Sequence, residues 1–67
     1  MKETFGQWLR RTREYAGLTR LQLDRRAGIT NGYTKRYEEG TTKPTLTALE
    51  RICDALDVDY VVGAKEE

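Results

Sequence analysis

Apolar residues recur along this chain at the three- to four-residue spacing of helices that bury one face. In the first segment Phe5, Leu9, Thr12 and Ala16 fall on one side. Thr4-x-x-Gln7 in front of them is a capping-box pattern, in which the Thr4 hydroxyl accepts from an amide three residues on and Gln7 reaches back. Gly17 can take the left-handed backbone that stops such a helix. Thr19-x-x-Gln22 repeats the capping pattern and opens a second helix to about Arg26, with Leu23 and Ala27 as its inward stripe. Gly28 ends it, and Ile29 then plugs the core. Thr30 is placed to cap a third helix over residues 31–39, closed by Gly40. After the loop Thr41-Thr42-Lys43-Pro44, Thr45 caps a fourth helix carrying Leu46, Leu49, Ile52, Cys53 and Leu56 on one face. Asp59 can cap a short last helix through Tyr60, Val61 and Val62, although its valines and Gly63 are poor helix formers. Residues 64–67 read as a frayed tail. The pattern predicts an all-α fold, a compact four- to five-helix bundle forming one domain over residues 1–67.

Size and composition narrow the chemistry. A 67-residue chain buries little surface, so helix packing must hold it, with or without dimerisation. One cysteine, Cys53, permits no intramolecular disulfide, and the lack of histidine excludes the usual Cys/His zinc sites. No metal and no cofactor are expected. No apolar run approaches the roughly 20 residues that span a bilayer, and no signal peptide or lipidation motif is visible, so a soluble cytoplasmic protein without a membrane partner is expected. With neither histidine nor serine, serine–histidine catalysis is impossible, and no Gly-rich phosphate loop is present. Cys53 sits in the pattern of a buried inert thiol, and Asp54, Asp57 and Asp59 read as solvated charge. No catalytic residue and no small-molecule substrate are expected.

Charge adds a direction. Residues 1–36 hold nine basic side chains against three acidic ones, and residues 37–67 hold three against eight. A basic half suits a polyanion such as double-stranded DNA, with the acidic half held away. Ordinary solvated helix faces would give the same counts. The segment 18–40 carries more information. Two short helices joined through one glycine turn, with a core over 19–39, are the basis of helix-turn-helix DNA readers.

The chain resembles the Cro and phage-repressor (Xre) type of helix-turn-helix domain, the lambda-repressor-like fold, over residues 5–62. The matching pieces are Phe5-Gly6, Leu9-Arg10, Arg13, Gly17-Leu18-Thr19, Leu23, Ala27-Gly28-Ile29-Thr30, Tyr33, Glu38-x-Gly40, Lys43-Pro44-Thr45-Leu46, Leu49 and Ala55-Leu56-Asp57-Val58. The resemblance implies a five-helix bundle that binds an operator as a homodimer and acts as a repressor by occupancy. It sets Asn31, Gly32, Lys35 and Arg36 nearest the bases. Arg36 can fork onto guanine, Asn31 can pair with adenine, and Lys35 can reach guanine or phosphate. It implies phosphate contacts from Arg10, Arg13, Thr19, Arg20, Thr30, Tyr33, Thr41, Thr42 and Lys43. For Thr41 and Thr42, plain loop chemistry is an equal alternative. The resemblance also implies an Arg13–Glu38 pair between the first and third helices.

Three positions depart from that pattern. Asp24 stands where the family has alanine, and Thr34 where it has isoleucine or valine. The two positions touch in the family fold, so Asp24 is expected to accept from the Thr34 hydroxyl, or else to swing toward Arg20 or Arg25. The third departure is Trp8, which with Tyr15 lies off the main stripe and either covers the side of the core or forms an exposed patch. Val58, Tyr60, Val61 and Val62 either close the monomer core or supply a dimer interface. The acidic half and these departures keep a second function open: a protein-interaction module on the same scaffold, such as an antitoxin or phage control protein.

Overall fold

A computed structural model describes residues 3–59. They form α1 (Phe5–Tyr15), α2 (Arg20–Ala27), α3 (Tyr33–Glu39) and α4 (Leu46–Leu56), with no strand among the described residues. Each start but one follows from local side-chain chemistry. The Thr4 hydroxyl accepts from the Gln7 amide at 3.1 Å, and Gln7 Oε1 accepts from the Thr4 amide at 2.9 Å. Thr19 and Gln22 make the same reciprocal pair at 3.1 and 2.8 Å. Thr45 accepts from the Ala48 amide at 3.1 Å. These bonds satisfy amides that a helix start otherwise leaves orphaned. Gly28 closes α2 at φ 71°, ψ 32°, where a Cβ would be strained.

The core gathers Leu9, Leu23, Ala27, Tyr37, Ile52 and Leu56, with Phe5, Trp8, Leu18, Ile29, Tyr33, Ala55 and Val58 packed around it. α1 lies on α3, α2 lies on α4, and α2 also contacts α3. The α1–α3 approach is close because Gly6 has no side chain. A Cβ there would lie 2.8 Å from the Tyr37 carbonyl oxygen and overlap that of Glu38.

Three apolar expectations change, the first at Ala16, which is placed by its spacing on the inward side of the first helix but is the exposed cap beyond its end. Leu46 shares the spacing of the inward face of α4, yet it is 61% exposed. It opens the helix, Ala48 and Leu49 after it are half-buried, and burial on α4 is complete only at Ile52, Cys53 and Leu56. Trp8 and Tyr15 separate. Trp8 is half-buried with its ring centroid 5.6 Å from that of Phe5, whereas Tyr15, in the last turn of α1, is 94% exposed. The expected last helix after Asp59, the tail 64–67 and the interface residues Tyr60, Val61 and Val62 lie outside the described residues. Val58 is within them and packs on the core. No described helix is long and apolar enough to cross a membrane.

Candidate nucleic-acid interface

Asp24 bonds both ends of the turn joining α2 to α3. The Asp24 carbonyl accepts from Ile29 N–H at 3.0 Å and from Gly28 N–H, closing α2. The Asp24 carboxylate accepts from Gly32 N–H at 2.7 Å through Oδ2 and from Thr34 N–H at 2.9 Å through Oδ1, opening α3. The side chain is buried, and both of its oxygens face backbone donors.

That geometry corrects three sequence expectations. The third helix begins at Tyr33, so Asn31 and Gly32 lie on the approach to it and not within it. Thr30 does not cap it with its hydroxyl. Gly32 occupies the cap position at φ 96° with no side chain to offer, and the Thr30 carbonyl accepts from Tyr33 N–H at 3.1 Å. Asp24, from the preceding helix, supplies the acceptors instead. The Asp24–Thr34 contact runs to the Thr34 amide and not to its hydroxyl, and Oγ1 of Thr34 is buried with no hydrogen-bond partner among the described residues. Asp24 turns toward neither Arg20 nor Arg25.

A second buried carboxylate ties three helices. Glu38 of α3 accepts from Arg13 of α1 at 2.6 Å (Nε to Oε2) and 3.3 Å (Nη2 to Oε1), and from Arg20 Nε of α2 at 3.0 Å. Arg13 Nη1 donates to the Leu18 carbonyl at 2.7 Å. Arg13, expected to reach phosphate, is buried, with its donors turned inward, and so braces the interface from behind. The sequence held no sign of the Arg20–Glu38 bond, because eighteen residues separate the partners. Arg20 keeps 39% of its side chain exposed at the first position of α2.

The outer surface carries the remaining candidates. Asn31, Gly32, Lys35 and Arg36 are exposed, and nothing lies within 4 Å of where a Gly32 Cβ would stand. The Arg36 guanidinium carbon sits 5.1 Å from the centre of the Tyr33 ring, and Tyr33 meets Tyr37 edge-on at 5.8 Å. Tyr33 thus forms a half-buried platform under a cation, a stacking that orients the guanidinium. Thr41 folds back on α3, with its hydroxyl donating to the Arg36 carbonyl at 3.3 Å and its amide to the same oxygen at 3.1 Å. Thr42 is half-buried, while Thr30 and Lys43 are exposed. Arg10 is exposed and paired with Glu14 at 3.3 Å. Arg51 of α4 reaches the other side of the turn, donating to the Gly28 carbonyl at 3.4 Å, which the sequence pattern did not suggest. Among the described residues no cluster of His, Cys, Asp or Glu is arranged to hold a metal.

The family model described as "Helix-turn-helix domain" matches residues 4–62. The HTH-type transcriptional regulator y4dL of Sinorhizobium fredii is 33% identical over 96% of this chain and 33% of its own length. An HTH-type transcriptional regulator of Mycobacterium tuberculosis is 38% identical over 85% of this chain and 41% of its own length. The Sinorhizobium fredii regulator y4dJ is 31% identical over 91% of this chain and 79% of its own length. The chain therefore spans well under half of the first two relatives. No solved structure matches it.

Proposed function

This chain belongs to the helix-turn-helix domain family, and from that premise we propose that it is a sequence-specific double-stranded DNA-binding transcription regulator. In this reading α3 lies in the major groove. Arg36 and Lys35 read base edges from it, Asn31 reads from the turn ahead of it, and the bare backbone at Gly32 permits close approach. Arg20, Thr19, Thr30, Thr42, Lys43 and Arg10 lie along the phosphates, which fix register without reading sequence. The observation that carries the reading is the division of α3 into two sides. One is fixed from beneath by Asp24 and Glu38, and the other leaves Lys35 and Arg36 exposed.

A helix of this length covers few bases, so a homodimer with its two reading helices about 34 Å apart along one DNA face completes the site. Val58 and residues 60–62 are the proposed contact. The regulator acts in the cytoplasm as a repressor, by occupying its operator.

Selection of bound DNA from a random pool, followed by titration of the selected site and of random DNA at several salt concentrations, tests this. A single enriched motif with two-fold symmetry supports the reading. Binding that is nonselective or undetectable at every salt concentration overturns it in favour of a protein partner.

A further inference from the structure

We infer that Asp24, which faces no solvent and touches no base, is a positioning residue for base readout; this rests on the DNA-reading function proposed above. The argument begins with what α3 lacks. Its cap position is a glycine in the left-handed region, so the start of the helix has no side chain of its own to fix it. Its opening amides still need acceptors. Asp24 gives one carboxylate oxygen to Gly32 N–H and the other to Thr34 N–H, on either side of the helix start, while its own carbonyl closes α2. One residue therefore grips both ends of the connection between the phosphate-contacting helix and the base-reading one. The turn it spans contains Asn31, the reader that lies ahead of the helix and so depends most on how the helix begins. Lys35 and Arg36 lie farther along α3, whose other end is held separately by Glu38.

The consequence is a division of labour. Asp24 sets where Asn31 stands relative to the phosphates. Glu38 fixes the far end of α3, two residues beyond Arg36. Loss of the Asp24 bonds lets the turn shift and degrades the bases read by Asn31, while those read by Arg36 are retained. Asp24→Asn is the informative variant, because it preserves shape but opposes an amide donor to one of the two backbone donors.

The test compares motifs selected from a random pool by the wild type, Asn31→Ala, Arg36→Ala, Asp24→Asn and Asp24→Ala. All are assayed at a temperature where circular dichroism shows the variant folded. The expected result is that Asp24→Asn loses the same base positions as Asn31→Ala. Its specific-to-random affinity ratio should fall about tenfold, with random-DNA affinity and salt slope unchanged. If the wild type selects a motif and Asp24→Asn selects it with the same ratio, Asp24 has no positioning role. If Asp24→Asn binds all sequences more tightly at an unchanged ratio, the carboxylate acts only through its charge and the inference fails. If the wild type selects no motif, the proposed function itself fails. Amide exchange on the wild type supplies a check independent of DNA and of variant folding. Gly32 and Thr34 should be protected, and exchange at the rate of an open loop overturns the inference.

Discussion

Replacing Glu38 with glutamine should cost this domain a large part of its stability. The carboxylate side chain is 2% exposed and neutralises Arg13, which is 10% exposed, and Arg20, which is 39% exposed. Glutamine keeps the shape and one acceptor but removes the charge. Arg13 cannot shed its proton, so a buried guanidinium is left with only the distant, solvent-screened Glu14 carboxylate at 3.8 Å as counter-ion. Removing one partner of a buried pair costs about 3–5 kcal/mol, chiefly from the charge left behind. The Arg20 contribution adds about 0–1 kcal/mol, because solvent screens a side chain that open. A domain of this size holds roughly 3–10 kcal/mol in total. Glu38→Gln should therefore lower the urea midpoint steeply, and Glu38→Ala should leave much of the chain unfolded at room temperature. Urea unfolding followed by helical circular dichroism measures the change. A loss under about 1 kcal/mol would refute the claim that this carboxylate locks α1 and α2 to α3. The double replacement Arg13→Met with Glu38→Leu separates charge from packing. It should recover most of the loss, since no buried charge is then stranded and only the half-exposed Arg20 and the Leu18 carbonyl lose a partner.

Other substitutions test the remaining contacts. Thr34→Val should be neutral or stabilising by about 1 kcal/mol in the same unfolding assay, because it removes a buried hydroxyl that bonds nothing. Its coupling to Asp24→Ala should be near zero, since the carboxylate holds the Thr34 backbone, and strong coupling would contradict the bond assignment. Gly6→Ala should destabilise by about 1–3 kcal/mol or more, as the new methyl meets carbonyl oxygens of α3 that cannot rotate away. On DNA, Arg36→Ala should relax one base preference at a cost of about 1–3 kcal/mol, read by competition between selected and altered sites. Burial pushes the Cys53 thiol above its ordinary 9.0, with Asp54 and Asp59 adding to it. Burial likewise pushes Tyr37 above its ordinary 10.0, with Tyr33 and Asp24 adding to it. Both groups favour their protonated forms in the fold, so their contribution is full below those ordinary values and is lost as pH rises through the raised ones. Urea midpoints should fall in alkali, and Cys53→Ala should reduce the fall. A pH-independent midpoint would contradict it.

The parts of this fold legible in the sequence are those whose cause is local. Thr4 with Gln7, Thr19 with Gln22, and Thr45 each announce a helix within three residues of the amides they bond. Gly28 announces its turn because few other residues tolerate that backbone. The start of α3 is not legible, for the complementary reason. Its acceptor comes from Asp24, eight and ten residues upstream, and no local pattern points there, whereas Thr30 has the local pattern of a cap. Only the resemblance pairs Arg13 with Glu38, and nothing local pairs Arg20 with it, because a helical surface gives no hint that two cations share one buried carboxylate. Gly6 offered no local signal either, since its role is set by how near another backbone passes. In the candidate interface, the resemblance marks Lys35 and Arg36 as an outward pair, and both are exposed. The burial of Arg13 was not.

The pairing of the helices has a consequence for how the molecule comes apart. α1 rests on α3 and α4 rests on α2, so each outer helix is held by a partner that is not its neighbour along the chain. The two arrangements interlace, and α2 and α3 at the centre are joined through a turn whose bonds belong to both. Melting either outer helix strips the support from one half of the central pair. The slowest-exchanging amides of all four helices should therefore share one opening free energy. The concentration of folded chain then follows the global folding equilibrium, and a change that only destabilises the bundle lowers it without altering the surface of the chains that remain folded.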